Sequence, residues 1–203
     1  MTAEPERSPE RDAAIRAMLP YVAGEGWTLA TLRHAMAEGG ADPLDAGMLF
    51  TRASDIVEAW ADLADRDMAA GAIGIADLRL SQRVRALVAL RLRQSRDHRE
   101  AVRRALAVLA TPGHAAMAAR ITARTVDAIW HAAGDRSADF SWYSKRAILA
   151  AIYSATLLFW LRDVSDDAAD TLAFLDRRLA GLGRITRLRQ RLTAWMPGHK
   201  QAA

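Results

Sequence analysis

The chain has 203 residues, 51% of them hydrophobic and 26% charged, with no cysteine. That length holds one domain, or one domain and a small lobe, and the missing cysteines exclude disulfides and cysteine-ligated metal sites. The net charge of +4 is unevenly placed: residues 184–203 hold Arg184, Arg187, Arg189, Arg191 and Lys200 and no acid, leaving 23 basic against 24 acidic residues elsewhere.

A basic tail on a nearly neutral body points to an anionic surface, lipid headgroups or nucleic acid. The opening MTAEPERSPERD mixes acids with prolines and carries no apolar run. It reads as a disordered tail over residues 1–11. It resembles neither a secretory signal nor an acid-poor transit peptide, so an intracellular protein is expected.

From Asp12 to Val22, Ala14, Ile15, Met18, Leu19 and Val22 recur at helical spacing, and Gly24 and Gly26 end the pattern. Thr28 to Glu38 predicts a second helix with Leu29, Leu32 and Met36 on one face, stopped by Gly39-Gly40. Asp42-Pro43 opens a short third segment, because Pro suits a helix start. Ser54 is the expected cap of a fourth helix with Ile56, Val57, Trp60 and Leu63 inward.

This order of elements resembles the helix-turn-helix end of a TetR-type regulator. The segment in the recognition-helix position, Ala41 to Phe50, has no Lys or Arg and carries Asp42 and Asp45. A helix entering a major groove needs cations toward phosphates and donors toward base edges. A degenerate helix-turn-helix kept as scaffold over residues 12–66 is therefore expected, with no nucleic acid bound.

Ser81 is the expected cap of a fifth helix, with Val84, Leu87, Val88 and Leu92 inward and Arg83, Arg85, Arg91 and Arg93 on the wet side. Arg99 to Leu109 predicts a sixth, ended by Thr111-Pro112-Gly113, and His114 to Ala133 a seventh, ended by Gly134. Asp127 and His131 stand one turn apart, within reach of each other. The stretch Asp139 to Asp163 follows. From Ala147 to Leu161 its only polar residues are Ser154 and Thr156.

A helix apolar on nearly every side must be wrapped by other helices or meet lipid. The run is shorter than the roughly 20 residues of a membrane span. It is expected to be the central helix of an all-helical domain, and Ile148, Ile152, Phe159 and Trp160 are candidate cavity-lining residues. Ser165 or Asp166 caps a ninth helix, Ala168 to Leu182. No stretch alternates long enough to read as a strand.

After Gly181 and Gly183, the segment Arg184 to Met196 places Ile185, Leu188, Leu192, Trp195 and Met196 within an arc of about 100°. Arg184, Arg187 and Arg191 lie beside that arc. Such a helix can lie in a headgroup layer, or pack on the domain or on a second copy. Residues 197–203 read as a disordered tail.

Catalytic signatures are missing. No histidine has a Glu three positions before it, and no HExxH, GxSxG or phosphate loop is present. No catalytic residue and no metal ligand is assigned.

Across Val126 to Arg178 the sequence closely resembles the ubiquinone-biosynthesis accessory proteins of the "Coq nine" family. The pattern is matched at Trp130, Ala133, Gly134, Asp135, Ser137, Asp139, Phe140, Trp142, Tyr143, Lys145 and Arg146. It continues at Leu149, Ala150, Tyr153, Asp170, Thr171, Phe174, Leu175 and Arg178, with Leu172 where a Trp is usual.

The resemblance implies an all-α, TetR-like helical bundle over residues 12–183, with a lipid-binding core at 76–183. It implies a dimer that no longer binds DNA, and an apolar cavity holding an isoprenoid or quinone precursor. It also implies a C-terminal amphipathic helix (184–196) at the membrane and a partner, the demethoxyubiquinone hydroxylase, met through Asp139, Trp142 and Tyr143. Trp and Tyr at a loop-helix junction suit an interface, though they also suit a core.

No enzyme and no cofactor other than the bound lipid is expected. The setting implied is that of a bacterial member, cytoplasmic and peripheral to the inner membrane. The competing reading is a TetR-like transcriptional regulator that senses an apolar ligand. A third reading, an enzyme acting on quinone precursors, is opposed by the missing motifs.

Overall fold

The structure, a computed structural model, describes the backbone of residues 4–135 and 141–181, and the side chains of all of these except Ser141 and Trp142. Helix α1 (Pro9–Glu25) starts ahead of the expected Asp12. Ser8 caps it by accepting from the Arg11 amide at 3.2 Å, and Pro9 fits the first turn. Arg7 already reaches Asp62, donating at 2.9 and 2.7 Å. Ordered contacts therefore begin inside the stretch 1–11 that composition marked as a disordered tail.

Thr28 caps α2 (Leu29–Glu38), its hydroxyl accepting from the Thr31 amide at 3.0 Å. A tight turn, Pro43–Asp45, leads into the single-turn α3 (Ala46–Leu49). Helix α4 (Ala53–Ala70) begins before Ser54, which is buried and caps nothing. The Asp55 carboxylate does that work, accepting from the Arg52 amide at 3.2 Å. Likewise α5 (Leu80–Gln94) is held at its start by Gln82, which accepts from the Arg79 amide at 3.1 Å, not by Ser81. In both cases a longer side chain reaches back from the first turn.

Helices α6 (Arg99–Leu109), α7 (Ala115–Ala132) and α8 (Ser141–Trp160) follow, and α9 covers residues 169–181. Among the described residues every regular element is helical. The fold is an all-α bundle. No helix among the described residues is long and apolar enough to cross a membrane.

The centre of the bundle is α4, which buries Ile56, Val57, Ala59, Trp60, Ala61, Leu63 and Met68 and packs on α1, α5, α6 and α7. Trp60 meets Trp27 at 5.0 Å between ring centroids, and the Trp27 indole N–H donates to the Ala101 carbonyl at 2.9 Å. Arg66 ties α4 to α1 through Asp12 at 2.8 and 2.7 Å.

The expectation that α8 is the wrapped, central helix is corrected. It buries Leu149, Ile152, Tyr153, Thr156 and Trp160, but Ala147, Ile148, Ala151, Leu158 and Phe159 are exposed. A helix apolar all round carries no mark of which side faces its own core. The bundle takes one side and leaves an apolar stripe on the other.

Candidate functional site

Helices α4 to α9 enclose a cavity of about 1160 Å³. It exceeds the roughly 300–1,000 Å³ of an ordinary small-ligand cleft, so it has room for a large ligand. Its inner end is walled by Val57, Trp60 and Ala61 from α4 and Leu92 from α5, with Val102 and Ala105 from α6. Ile121 from α7 and Leu157 from α8 continue the apolar surface. The rim holds the exposed residues Arg103, Leu158, Phe159, Arg162 and Val164.

Of the four lining residues expected from sequence, the cavity uses Phe159 alone. Phe159 stacks on Phe174 of α9 at 4.8 Å, the ring planes 10° apart. Ile148 lies on the exposed stripe, and Ile152 packs in the core. Trp160 is buried under the Arg99 guanidinium, 4.6 Å from its ring. The lining face of α8 runs instead through Tyr153, Ser154, Leu157 and Leu158.

Charge at the inner end is the larger surprise. Arg91, expected on the wet side of α5, is buried and lines the cavity. Its Nε donates to Asp65 Oδ1 at 3.1 Å and its Nη1 to Ser95 Oγ at 3.2 Å. Thr125 donates to the other Asp65 oxygen at 2.8 Å. Burial pushes the Asp65 carboxyl above its ordinary range, against the pull of Arg91 and Thr125. Burial also raises the neighbouring Tyr153 hydroxyl, which stays neutral.

A signal for Arg91 exists in the sequence. It continues the stripe Val84, Leu87, Val88 at helical spacing. An arginine on an apolar stripe is a buried arginine in need of a counterion.

At the rim, Asp163 closes the turn between α8 and α9. It accepts from the Ser165 amide and hydroxyl at 2.8 and 2.6 Å, and from the Thr171 amide at 2.8 Å and its hydroxyl. Burial would raise this carboxyl, but those four bonds outweigh it and hold it at about 2. The Arg99 guanidinium donates to the Asp163 carbonyl, and Arg103 to that of Leu161 at 2.8 Å.

The expected partner surface is described in part. Tyr143 stands in the first turn of α8 with 71% of its surface exposed. Asp139 and the Trp142 side chain lie outside the described residues, as do Arg184, Ile185, Arg187, Leu188, Arg191, Leu192 and Trp195. Asp127 pairs with Arg146 rather than with His131. In the recognition-helix position Leu44, Met48, Asp42 and Asp45 all face solvent, and nearby Arg52 is paired with Asp55 at 2.9 Å.

An all-helical bundle with a helix-turn-helix-like end and a cavity behind it defines a TetR-like protein. A solved TetR transcriptional regulator from Nitrosomonas europaea superposes with a TM-score of 0.69 at 26% identity, covering 85% of this chain and 97% of that one. Residues 115–186 match the COQ9 family profile, and the chain belongs to that family.

The rat mitochondrial ubiquinone biosynthesis protein COQ9 is 31% identical over 174 residues, which are 81% of this chain and 56% of the rat protein. Human COQ9 is also 31% identical over 174 residues, covering 55% of its own length. The chain thus spans about half the length of the curated relatives it matches.

Proposed function

We propose that this chain is a non-catalytic accessory protein of ubiquinone biosynthesis that holds an isoprenoid or quinone precursor in its cavity and presents it to a hydroxylase at a membrane. The observation that carries this is the cavity itself, large and mainly apolar, with an exposed rim. The names of the COQ9 relatives point to the pathway. The apolar stripe of α8 suits burial against a second copy, so the working form is a homodimer. The acidic, apolar surface around Leu44 and Met48 is unsuited to phosphates and disfavours the regulator reading.

Native mass spectrometry with lipid extraction tests the carrier role. The expected result is a dimer carrying about one prenyl lipid per chain. Protein purified lipid-free, and unable to take up a prenyl quinone, would refute it.

The membrane and partner roles share one assay, flotation of the full chain and a di-iron hydroxylase with anionic liposomes. Deleting residues 184–203 should leave both proteins at the bottom of the gradient. Trp142→Ala with Tyr143→Ala should float alone, without the hydroxylase, at an unchanged Tm. Flotation that survives the deletion removes the membrane role of the tail. A hydroxylase that still co-floats with the double variant removes the role of the aromatic pair.

A further inference from the structure

The inner end of the cavity is polar in a particular way. Arg91 bonds through Nε and Nη1, and among the described residues no hydrogen bond involves its Nη2. No hydrogen bond engages the Tyr153 hydroxyl either. Both side chains are more than nine-tenths buried, and both line the cavity. A donor with no protein partner is open to an acceptor in the space in front of it. Here that space is the cavity.

The charge balance narrows what fits. Arg91 cannot lose its proton, and Asp65 already supplies its counterion. A carboxylate or phosphate would bring a second negative charge into a buried site that is already neutral, at a large desolvation cost. A neutral acceptor oxygen brings none. The walls beside it are aromatic, Trp60 and Tyr153, with the Arg91 guanidinium 5.9 Å from the Trp60 ring. From there toward the rim the lining is mainly apolar, through Leu92, Leu106 and Leu158, with Thr122 and Ser154 among it and Arg103 and Arg162 at the rim.

We infer that the inner end of the cavity is a headgroup site, in which Arg91 and Tyr153 donate to a neutral oxygen carried on a ring, as in a quinone, phenol or aryl ether. The ligand is stored head first, its apolar tail running out toward Leu158 and Phe159, and its ring reaches the hydroxylase only as the ligand leaves the cavity. This rests on the reading that the cavity holds a lipid, and it adds which end of the lipid is recognised and by what.

Three probes test it by calorimetry on the full chain: a short-chain prenyl benzoquinone, a hydrocarbon isoprenoid of equal tail length, and oleate. The quinone is expected to bind the native protein about tenfold or more tighter than the other two. Tyr153→Phe should weaken quinone binding about five- to tenfold and leave the hydrocarbon unchanged, the effect of one lost hydrogen bond.

A second variant, Asp65→Leu with Arg91→Met, removes the charges as a pair and should bring the quinone down to the hydrocarbon's affinity. It carries the test if Tyr153→Phe fails to fold. Equal binding of quinone and hydrocarbon by the native protein overturns the headgroup site and leaves the carrier role standing. So does an equal loss for both probes in Tyr153→Phe. Tighter binding of oleate overturns the neutral-oxygen assignment. No binding of any probe overturns the carrier role and this site together.

Discussion

Replacing Asp65 by Ala should lower the stability of the protein by about 3–5 kcal/mol, the usual cost of stranding one member of a buried ion pair. Arg91 would keep its charge and its burial and lose the carboxylate that accepts from its Nε. Thr125 would lose its acceptor as well. A protein of this size should then melt on the order of 10 °C lower.

The companion variant separates the pair from the space it fills. With Asp65→Leu and Arg91→Met together, no charge is left to be stranded, and most of the loss should be recovered. Urea unfolding monitored by circular dichroism reads both. If the double variant is as unstable as the single one, packing rather than charge explains the site.

The second large effect belongs to Asp163. With its pKa held at about 2, against about 4 for a free carboxyl, it favours the folded state only while ionised. That contribution is complete above about pH 4 and is lost as the pH falls toward 2, on the order of 2 kcal/mol in all. Asp163→Asn should therefore be less stable than the native protein at pH 6 and nearly equal to it at pH 2. Asp163→Ala leaves the Thr171 amide and hydroxyl without their acceptor and should cost about 2–3 kcal/mol at neutral pH. Hydrogen exchange at the Thr171 amide should rise in step. An unchanged gap between pH 6 and pH 2 would show that the four bonds to Asp163 do not depend on its charge.

Helix order was legible in the sequence because it rests on breakers and spacing. Gly26, Gly39 and Gly134 end helices where expected, and the inward residues of α4, Ile56, Val57, Trp60 and Leu63, are all buried. Caps were less legible, since Asp55 and Gln82 act from inside the first turn while Ser54 and Ser81 only look the part. The orientation of α8 could not be read at all. Periodicity needs a polar face for contrast, and α8 has almost none over Ala147 to Leu161. Three of the four cavity residues assigned to it were therefore misplaced. The inner end was readable in principle, because Arg91 interrupts an apolar stripe, but with Arg83, Arg85 and Arg93 beside it on α5 it reads as one more wet-side arginine.

The polar floor also has a history within each molecule. Its pieces come from four helices, and Thr125 and Asp65 alone are 60 positions apart in the chain. A ribosome adding roughly 5–20 residues per second delivers Arg91 roughly 1–5 s after Asp65, and Tyr153 roughly 3–12 s after that. Through that interval α7 and α8 do not both exist in full to cover the two side chains, and water reaches them. The site can become dry only once α7 and α8 cover it, so the closed cavity cannot precede the synthesis of Tyr153.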